Sequence, residues 1–134
     1  MNKALLDKAR GLLNRNLPST SLSTVDKDYN VNVAVISVLE MIDDETILCA
    51  RFGADRTYAN LLATRKGMFM VLTFDEHQTK EGIRVAVEMI GDETFGPHYQ
   101  RMREKLDQTK YRRFPLKNCL IFKITDILPI STLK

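Results

Sequence analysis

The chain has 134 residues, of which 44% are hydrophobic and 28% are charged, and its formal net charge is +3. This length suits one domain with its own core, and no stretch has the roughly 20 apolar residues that cross a bilayer. The small net charge argues against a nucleic-acid-binding protein. Charges scattered through the N-terminal region argue against a signal peptide. We therefore expect a cytoplasmic protein without membrane contact, forming a single domain over residues 1–134.

The predicted elements follow the order helix, three strands, helix, two strands, helix, strand. Amphipathic spacing and capping residues mark the helices, and runs of β-branched and apolar residues between polar turns mark the strands. The helices are predicted at residues 2–15, at 56–64 and from Gly96 onward, and the strands at 21–25, 31–41, 46–52, 68–74, 82–90 and 116–130.

Short polar turns join consecutive strands, which favours antiparallel pairing. The chain has no βαβ alternation, and no GxGxxG motif follows the first strand, which excludes a Rossmann domain. Six strands with few helices predict a mainly β fold with flanking helices, built as a small barrel. The strand at 31–41 is apolar on both faces, so we expect it to be covered on both sides, by the barrel and by another layer or subunit.

The segment from Arg51 to Thr64 has the features of an anion-binding helix start. It ends an apolar run and begins a short helix for which Asp55 is the predicted N-cap. The first turns carry side chains that donate hydrogen bonds, namely Arg56, Thr57 and Asn60. Free backbone amides and the helix dipole favour an anion there. The residues alone also fit an ordinary capped helix, so both interpretations stay open.

Neither the cysteines nor the histidines form a metal-binding pattern. Cys49 and Cys119 stand alone within apolar segments, as buried thiols do. His77 and His98 are far apart in sequence and lack the spacing of metal ligands. We therefore expect no metal site. A basic run at residues 101–117 is typical of a solvated face, and its alternative interpretation is contact with phosphate groups.

Several segments together give the chain a resemblance to a known family. They are STVDKD, NVAVIS, DDETILCA, DRTYANL and GMFMVLTFD, in that order. The most specific is the helix start, in which Arg56, Thr57, Asn60 and Leu61 match an R/K-T-x-x-N-L pattern. From about Thr20 to Ile90 the chain resembles the pyridoxamine 5′-phosphate oxidase-like family, whose fold is an FMN-binding split barrel. The resemblance implies a six-stranded, mostly antiparallel split β-barrel.

The resemblance also implies a homodimer that holds FMN in two clefts between its subunits. In the family, a basic residue and a hydroxyl at the helix start hold the FMN phosphate; by position these are Arg56 and Thr57, with Asn60 nearby. The isoalloxazine ring lies along the second and third strands, which implies contacts with Val35, Ile36, Ser37 and Arg51. The expected function is that of an FMN-dependent oxidoreductase with a small-molecule redox partner.

The residues compel no general acid or base, so the catalytic residues stay unassigned. This short chain lacks the arginine-rich phosphate site and the C-terminal motif of the longer oxidases, which argues against pyridoxamine phosphate as its substrate. The alternative is a binding protein without turnover that holds a flavin, a deazaflavin or a haem. A haem would need an axial ligand, for which His77, His98 or a methionine is available.

Overall fold

The structure is a computed structural model that describes residues 2–53, 55–74, 76–78 and 80–130. Within these residues the chain forms three helices and seven strands. The helices are α1 (Lys3–Leu13), α2 (Asp55–Thr64) and α3 (Pro97–Asp107), and the strands are β1 (Ser21–Val25), β2 (Val31–Val35), β3 (Leu39–Met41), β4 (Thr46–Arg51), β5 (Lys66–Phe74), β6 (Lys80–Glu93) and β7 (Asn118–Pro129). None of the helices in these residues is long and apolar enough to cross a membrane.

All seven strands belong to one antiparallel sheet with the order β2-β1-β5-β6-β7-β4-β3. Its two edge strands, β2 and β3, follow each other in the chain and are joined by residues 36–38 alone. Such a link spans no more than about 15 Å, so the two edges must come close together. The sheet therefore curls into a barrel that is split where residues 36–38 cross between the edges.

Residues 31–41 form two strands rather than the single predicted strand, which makes seven strands instead of six. The odd-numbered valines of β2 are 62–74% exposed, whereas the odd-numbered Leu39 and Met41 of β3 are buried. The crossing at 36–38 thus turns the odd-numbered side chains from the outside of the barrel to its inside. This reversal explains why the segment is apolar at both odd and even positions.

Apolar side chains from β1 and from β3 to β7 fill the barrel. The rings of Phe69 and Phe122 meet edge to face in this core, with their centroids 5.2 Å apart. Helix α1 buries Ala9, Leu12 and Leu13 against the same cluster. The amphipathic face predicted for the N-terminal helix therefore packs onto the barrel, as its leucine spacing requires.

A second apolar cluster lies on the outer face of β4 and β7, beneath α3. Met102 and Leu106 of α3 are fully buried there, against Leu48 and Cys119 of the sheet. Because β4 and the first half of β7 are covered on both faces, these segments are almost continuously apolar. The two edge strands differ in whether their free edge is covered. The side chains of Asn14 and Asn16 accept hydrogen bonds from backbone amides of β3 and so cover its free edge.

Two predicted boundaries shift in ways that concern the site. Helix α2 ends at Thr64, Arg65 adopts a left-handed φ of 66°, and Lys66 already begins β5, two residues before the predicted strand. Strand β6 continues past its predicted end at Ile90 through residues 91–93, because these residues pair with β7. Asp92 is therefore held on a strand rather than in a loop.

Candidate functional site

A cleft of about 200 Å³ lies where the two edges of the sheet meet. The crossing segment forms one wall, the end of β4 forms another, and the first turn of α2 closes it. Its lining is mostly apolar, with a few polar groups from Arg51, Thr57 and Tyr58. The complete lining is Leu22, Val35, Ile36, Ser37, Cys49, Ala50, Arg51, Phe52, Gly53, Thr57, Tyr58 and Leu120. Mostly apolar walls with a few converging polar groups are typical of small-molecule sites.

Arg51 is the charged residue of this lining, and its side chain is only 15% exposed. Its Nη1 donates to Asn118 Oδ1 at 3.2 Å and its Nη2 donates to Asp55 Oδ1 at 2.9 Å. The guanidinium also lies 4.0 Å from the centre of the Tyr58 ring, within the range of a cation–π interaction. Its Nε is buried and has no hydrogen-bond partner among the described residues. A ligand with an acceptor oxygen would satisfy that donor.

Tyr58 is fixed from the other side by Asp92. The Tyr58 hydroxyl donates to Asp92 Oδ2, and the same oxygen accepts a hydrogen bond from Asn118 Nδ2 at 2.9 Å. The hydrogen bond to Asp92, followed by burial, raises the pKa of Tyr58. Tyr58 is therefore a neutral hydrogen-bond donor at physiological pH, with its ring facing the cleft.

Side-chain hydrogen bonds attach α2 to the strands beside the cleft. Thr57 Oγ1 accepts from Asn32 Nδ2 at 2.9 Å, and Asn60 Nδ2 donates to Thr24 Oγ1 at 3.1 Å. Thr57 and Asn60 are both buried. Asp55 is the first residue of α2 rather than its N-cap, and its carboxylate is paired with Arg51.

Arg56 lies on the exposed side of the α2 start. Within the described ranges, its guanidinium makes no hydrogen bond and no ion pair. Its charge still reaches Asp26, whose pKa is lowered first by hydrogen bonds from Asn30 and to a smaller extent by Arg56. An exposed cation beside the first amides of a helix is available to an incoming anion.

The structure brings most of the predicted site residues to one place. Val35, Ile36, Ser37, Arg51 and Thr57 line the cleft, whereas Arg56 and Asn60 do not. Arg56 precedes the lining residue Thr57 on α2, and Asn60 serves the attachment of α2 to β1. The roles of all seven residues in binding a ligand stay predictions.

Three residues of the site were missed by the sequence interpretation. The sequence analysis gave no role to Tyr58 in the helix at 56–64, to Asp92 just after the strand at 82–90, or to Asn118 in the strand at 116–130. The pairing of β6 with β7 brings Asp92 and Asn118 together, and this pairing contains register shifts near Ala86 and Met89. Such irregularities cannot be read from apolar spacing.

Part of the basic run at 101–117 is used within the fold. Arg101 makes a two-point contact with Glu40 of β3, at 2.9 and 3.1 Å, and Arg103 Nη2 lies 3.0 Å from Asp107 Oδ1. The hydrogen bond from Arg101 is the main reason that the pKa of Glu40 is lowered, although its burial acts in the opposite direction. Arg101 thus fastens α3 to the sheet, whereas the pair of Arg103 and Asp107 lies within α3 itself.

Histidines and cysteines do not contribute exposed ligands to the cleft. Neither His77 nor His98 lines it, and His98 Nδ1 lies 3.0 Å from Glu93 Oε2. Cys49 and Cys119 are buried free thiols, and burial raises the pKa of Cys119 to about 12. In the described part of the chain, no group of three His, Cys, Asp or Glu residues could hold a metal ion.

Three solved structures illustrate what this chain resembles. An FMN-binding protein from Syntrophomonas wolfei subsp. wolfei is 60% identical, with a TM-score of 0.93 over 100% of this chain and 91% of that one. HupZ from Group A Streptococcus is 18% identical, with a TM-score of 0.73 over 97% and 94% of the two chains. A protein from Lactobacillus delbrueckii described as a candidate pyridoxamine 5′-phosphate oxidase is 14% identical, with a TM-score of 0.65 over 96% and 93%. The last two share the fold.

Neither a comparison with protein-family models nor one with curated proteins finds a match.

Proposed function

The chain belongs to the pyridoxamine 5′-phosphate oxidase-like family of split barrels, and from this membership we propose that it binds FMN in the cleft beside α2 and acts as a flavin-dependent oxidoreductase. The observation that carries the proposal is the 60% identity with an FMN-binding protein along the whole chain. The cleft supplies independent physical support, because it offers both an apolar wall and a polar rim.

The cleft suits a flat heterocycle better than a compact polar ligand. Its walls from Val35 to Ser37 and from Cys49 to Gly53 present backbone and mostly apolar side chains. The buried Arg51 Nε lacks a partner, and the carbonyl oxygens of an isoalloxazine ring are acceptors of the right kind. The residues present therefore fit a flavin ring, with Arg51 as its charged contact.

The start of α2 suits the phosphate. Arg56 supplies an exposed guanidinium without an ion pair in the described residues, and Thr57 supplies a hydroxyl at the cleft wall. Charge-assisted hydrogen bonds and a helix N-terminus together favour a phosphate group. The negative charge of Asp55 would repel a phosphate at this position. Because its carboxylate is paired with Arg51, this repulsion is reduced.

We further propose that the working form is a homodimer with a cofactor cleft between its subunits. One chain supplies a cleft of about 200 Å³, whereas sites for ligands of drug size measure about 300–1,000 Å³. The three odd-numbered valines of β2, at 62–74% exposure, form an uncovered apolar strip that ends at the cleft. A second copy over this strip would bury it and enlarge the site.

Bound FMN would supply the electron-transfer chemistry, and the chain would supply orientation and charge. The Arg51 guanidinium is mostly buried, so it favours negative charge on the ring more strongly than an exposed cation does. The redox partner is proposed to be a small molecule, which approaches the flavin through the opening of the cleft.

The test compares FMN with riboflavin, which has no phosphate. Arg56→Ala is expected to weaken FMN binding by about 1.5–3 kcal/mol, the range for a hydrogen bond to a charged group. Riboflavin binding should change much less. Arg113→Ala removes an exposed arginine far along the sequence and serves as the matched control, with wild-type affinity expected for both ligands. Titration by quenching of flavin fluorescence gives the affinities of the wild type and both variants for each flavin, and equal losses for both flavins in Arg56→Ala would move the phosphate site elsewhere.

A further inference from the structure

Four side chains from four elements close a ring of contacts at the edge of the cleft. They belong to β4, α2, β6 and β7, and they are Arg51, Tyr58, Asp92 and Asn118. We propose that Asp92 is a positioning residue, which holds Arg51 and Tyr58 so that this pair recognises the flavin ring, while Arg56 recognises the phosphate. The inference rests on the proposed binding of FMN and divides that site into two independent parts.

Asp92 acts on Arg51 through the amide of Asn118. One carboxylate oxygen, Asp92 Oδ2, accepts from Asn118 Nδ2 at 2.9 Å, so the amide must present its Oδ1 on the other side. That Oδ1 accepts from Arg51 Nη1 at 3.2 Å. Asn118 is only 3% exposed, so water cannot easily replace either bond. The carboxylate thus determines which way the amide points, and the amide determines where the guanidinium lies.

Asp92 also acts on Tyr58 directly. The Tyr58 hydroxyl donates to the same Asp92 oxygen, and the centre of the ring is thereby held 4.0 Å from the guanidinium carbon of Arg51. Both Tyr58 and Arg51 line the cleft, whereas Asp92 does not. Asp92 therefore touches no part of the cavity and can influence a ligand only through the two residues that it orients.

The hydrogen-bond donors of Arg51 indicate which kind of ligand atom the pair of Arg51 and Tyr58 would recognise. Nη1 and Nη2 are occupied by Asn118 and Asp55, and Nε is buried without a partner. A guanidinium that is held in place with an unused donor suits a fixed acceptor, such as a carbonyl oxygen of the flavin ring. Arg56 lies outside the cleft lining, so ring recognition and phosphate recognition fall to different arginines.

The experiment removes the carboxylate without touching the cleft. Asp92 is exposed enough that Asp92→Ala should fold, and Glu88→Ala removes another exposed carboxylate from the same strand β6 as a control. We expect Asp92→Ala to weaken FMN and riboflavin by the same factor, about three- to tenfold, the range for one net hydrogen bond. Asp92→Asn keeps an acceptor oxygen and should restore most of the affinity.

Two further readouts separate positioning from a structural effect. The visible absorption band of bound FMN should shift in Asp92→Ala and stay unchanged in Glu88→Ala, because only the former alters the groups beside the ring. In an Arg51→Lys background, Asp92→Ala should have little additional effect, since the residue it acts through has lost its planar donor group.

The outcomes distinguish this inference from the proposed function. Equal loss for both flavins, a shifted band and rescue by Asp92→Asn would support it. Asp92→Ala with wild-type affinities and spectrum, or with a loss confined to FMN, would overturn it while leaving FMN binding intact. A wild-type protein that binds neither flavin would overturn the proposed function, and the division of the site with it.

Discussion

Whether a glycine position tolerates a side chain depends on how closely the surrounding atoms pack, as two glycines of this chain show. A Cβ on Gly82 would lie 2.3 Å from Ile130 Cγ1 and 2.7 Å from the carbonyl oxygen of Val71. A Cβ on Gly11, in α1, would meet no atom within 4 Å. Gly82 therefore allows two strands and a side chain to approach closely, whereas Gly11 only weakens a helix.

We predict opposite effects of alanine at these two positions. Gly82→Ala should lower the free energy of unfolding by about 1–3 kcal/mol, because the backbone of β5 must shift to admit a methyl group. Gly11→Ala should raise it by about 0.5–1 kcal/mol through helix propensity. Urea denaturation followed by circular dichroism measures both, and a neutral Gly82→Ala would contradict the close packing of that strand pair.

The sequence could place some residues of the site and not others. Val35, Ile36, Ser37 and Arg51 were assigned to the site through the resemblance to the family, and in the structure the crossing at residues 36–38 brings them to one cleft. Asp92 and Asn118 come together only through the long-range register of β6 and β7. That register depends on packing across the barrel, so no pattern within either strand specifies it.

Two carboxylates from the sheet hold helix α3, one at its first turn and one near its middle. Glu93 accepts hydrogen bonds from the backbone amides of His98 and Tyr99 and so caps the first turn, in place of the absent side chain of Gly96. Glu40 of β3 binds Arg101 further along the helix. The apolar face of α3 could be predicted from its spacing, but the contact with Glu40 could not, because β3 is distant from α3 in the sequence.

The Glu40 contact should make stability depend on pH. The hydrogen bond from Arg101, which outweighs the opposing effect of burial, lowers the pKa of Glu40 below its ordinary value of 4.5. Its contribution to stability is therefore complete above pH 4.5 and is lost as the pH falls through the lower pKa of the folded state. Glu40→Gln should cost about 0.5–1 kcal/mol at pH 7 and less at pH 3.

Urea denaturation at the two pH values measures this difference. Glu104→Gln, which changes an exposed carboxylate on α3, is the control and should change stability little at either pH. A Glu40→Gln variant that loses the same free energy at pH 3 as at pH 7 would show that the contact does not depend on the charge of Glu40.

The largest departure from the predicted architecture concerns the segment at 31–41. Its apolar pattern is continuous, so the sequence predicts one long strand, whereas the chain changes edge at residues 36–38. Closing a barrel requires this change, and closure is a property of the whole sheet rather than of the segment. The same crossing creates the cleft, so the site and the missed strand break have one cause.

At the scale of the whole molecule, the exposed valines of β2 should form the proposed subunit interface. Val33→Asp places a charge in the centre of this strip, where Val33 is 62% exposed in the single chain. We expect the variant to be monomeric in size-exclusion chromatography with light scattering, and to bind FMN at least tenfold more weakly, because burying an unpaired charge costs more than the interface gains.

Phe95→Asp is the matched control, since Phe95 is 83% exposed and lies outside the seven strands. It should leave both the molecular mass and the affinity for FMN unchanged. A Val33→Asp protein that keeps the mass of a dimer, or a wild-type protein that is monomeric with full FMN affinity, would contradict the interface.

FMN binding is tested by a titration of the purified wild-type protein with FMN, followed by the visible absorption and by the fluorescence of free flavin. We predict saturable binding at micromolar concentration or tighter, with one FMN per chain and a perturbed flavin spectrum. A colourless protein that leaves both signals of added FMN unchanged would contradict it, and a Soret band in the protein as purified would point to a haem instead.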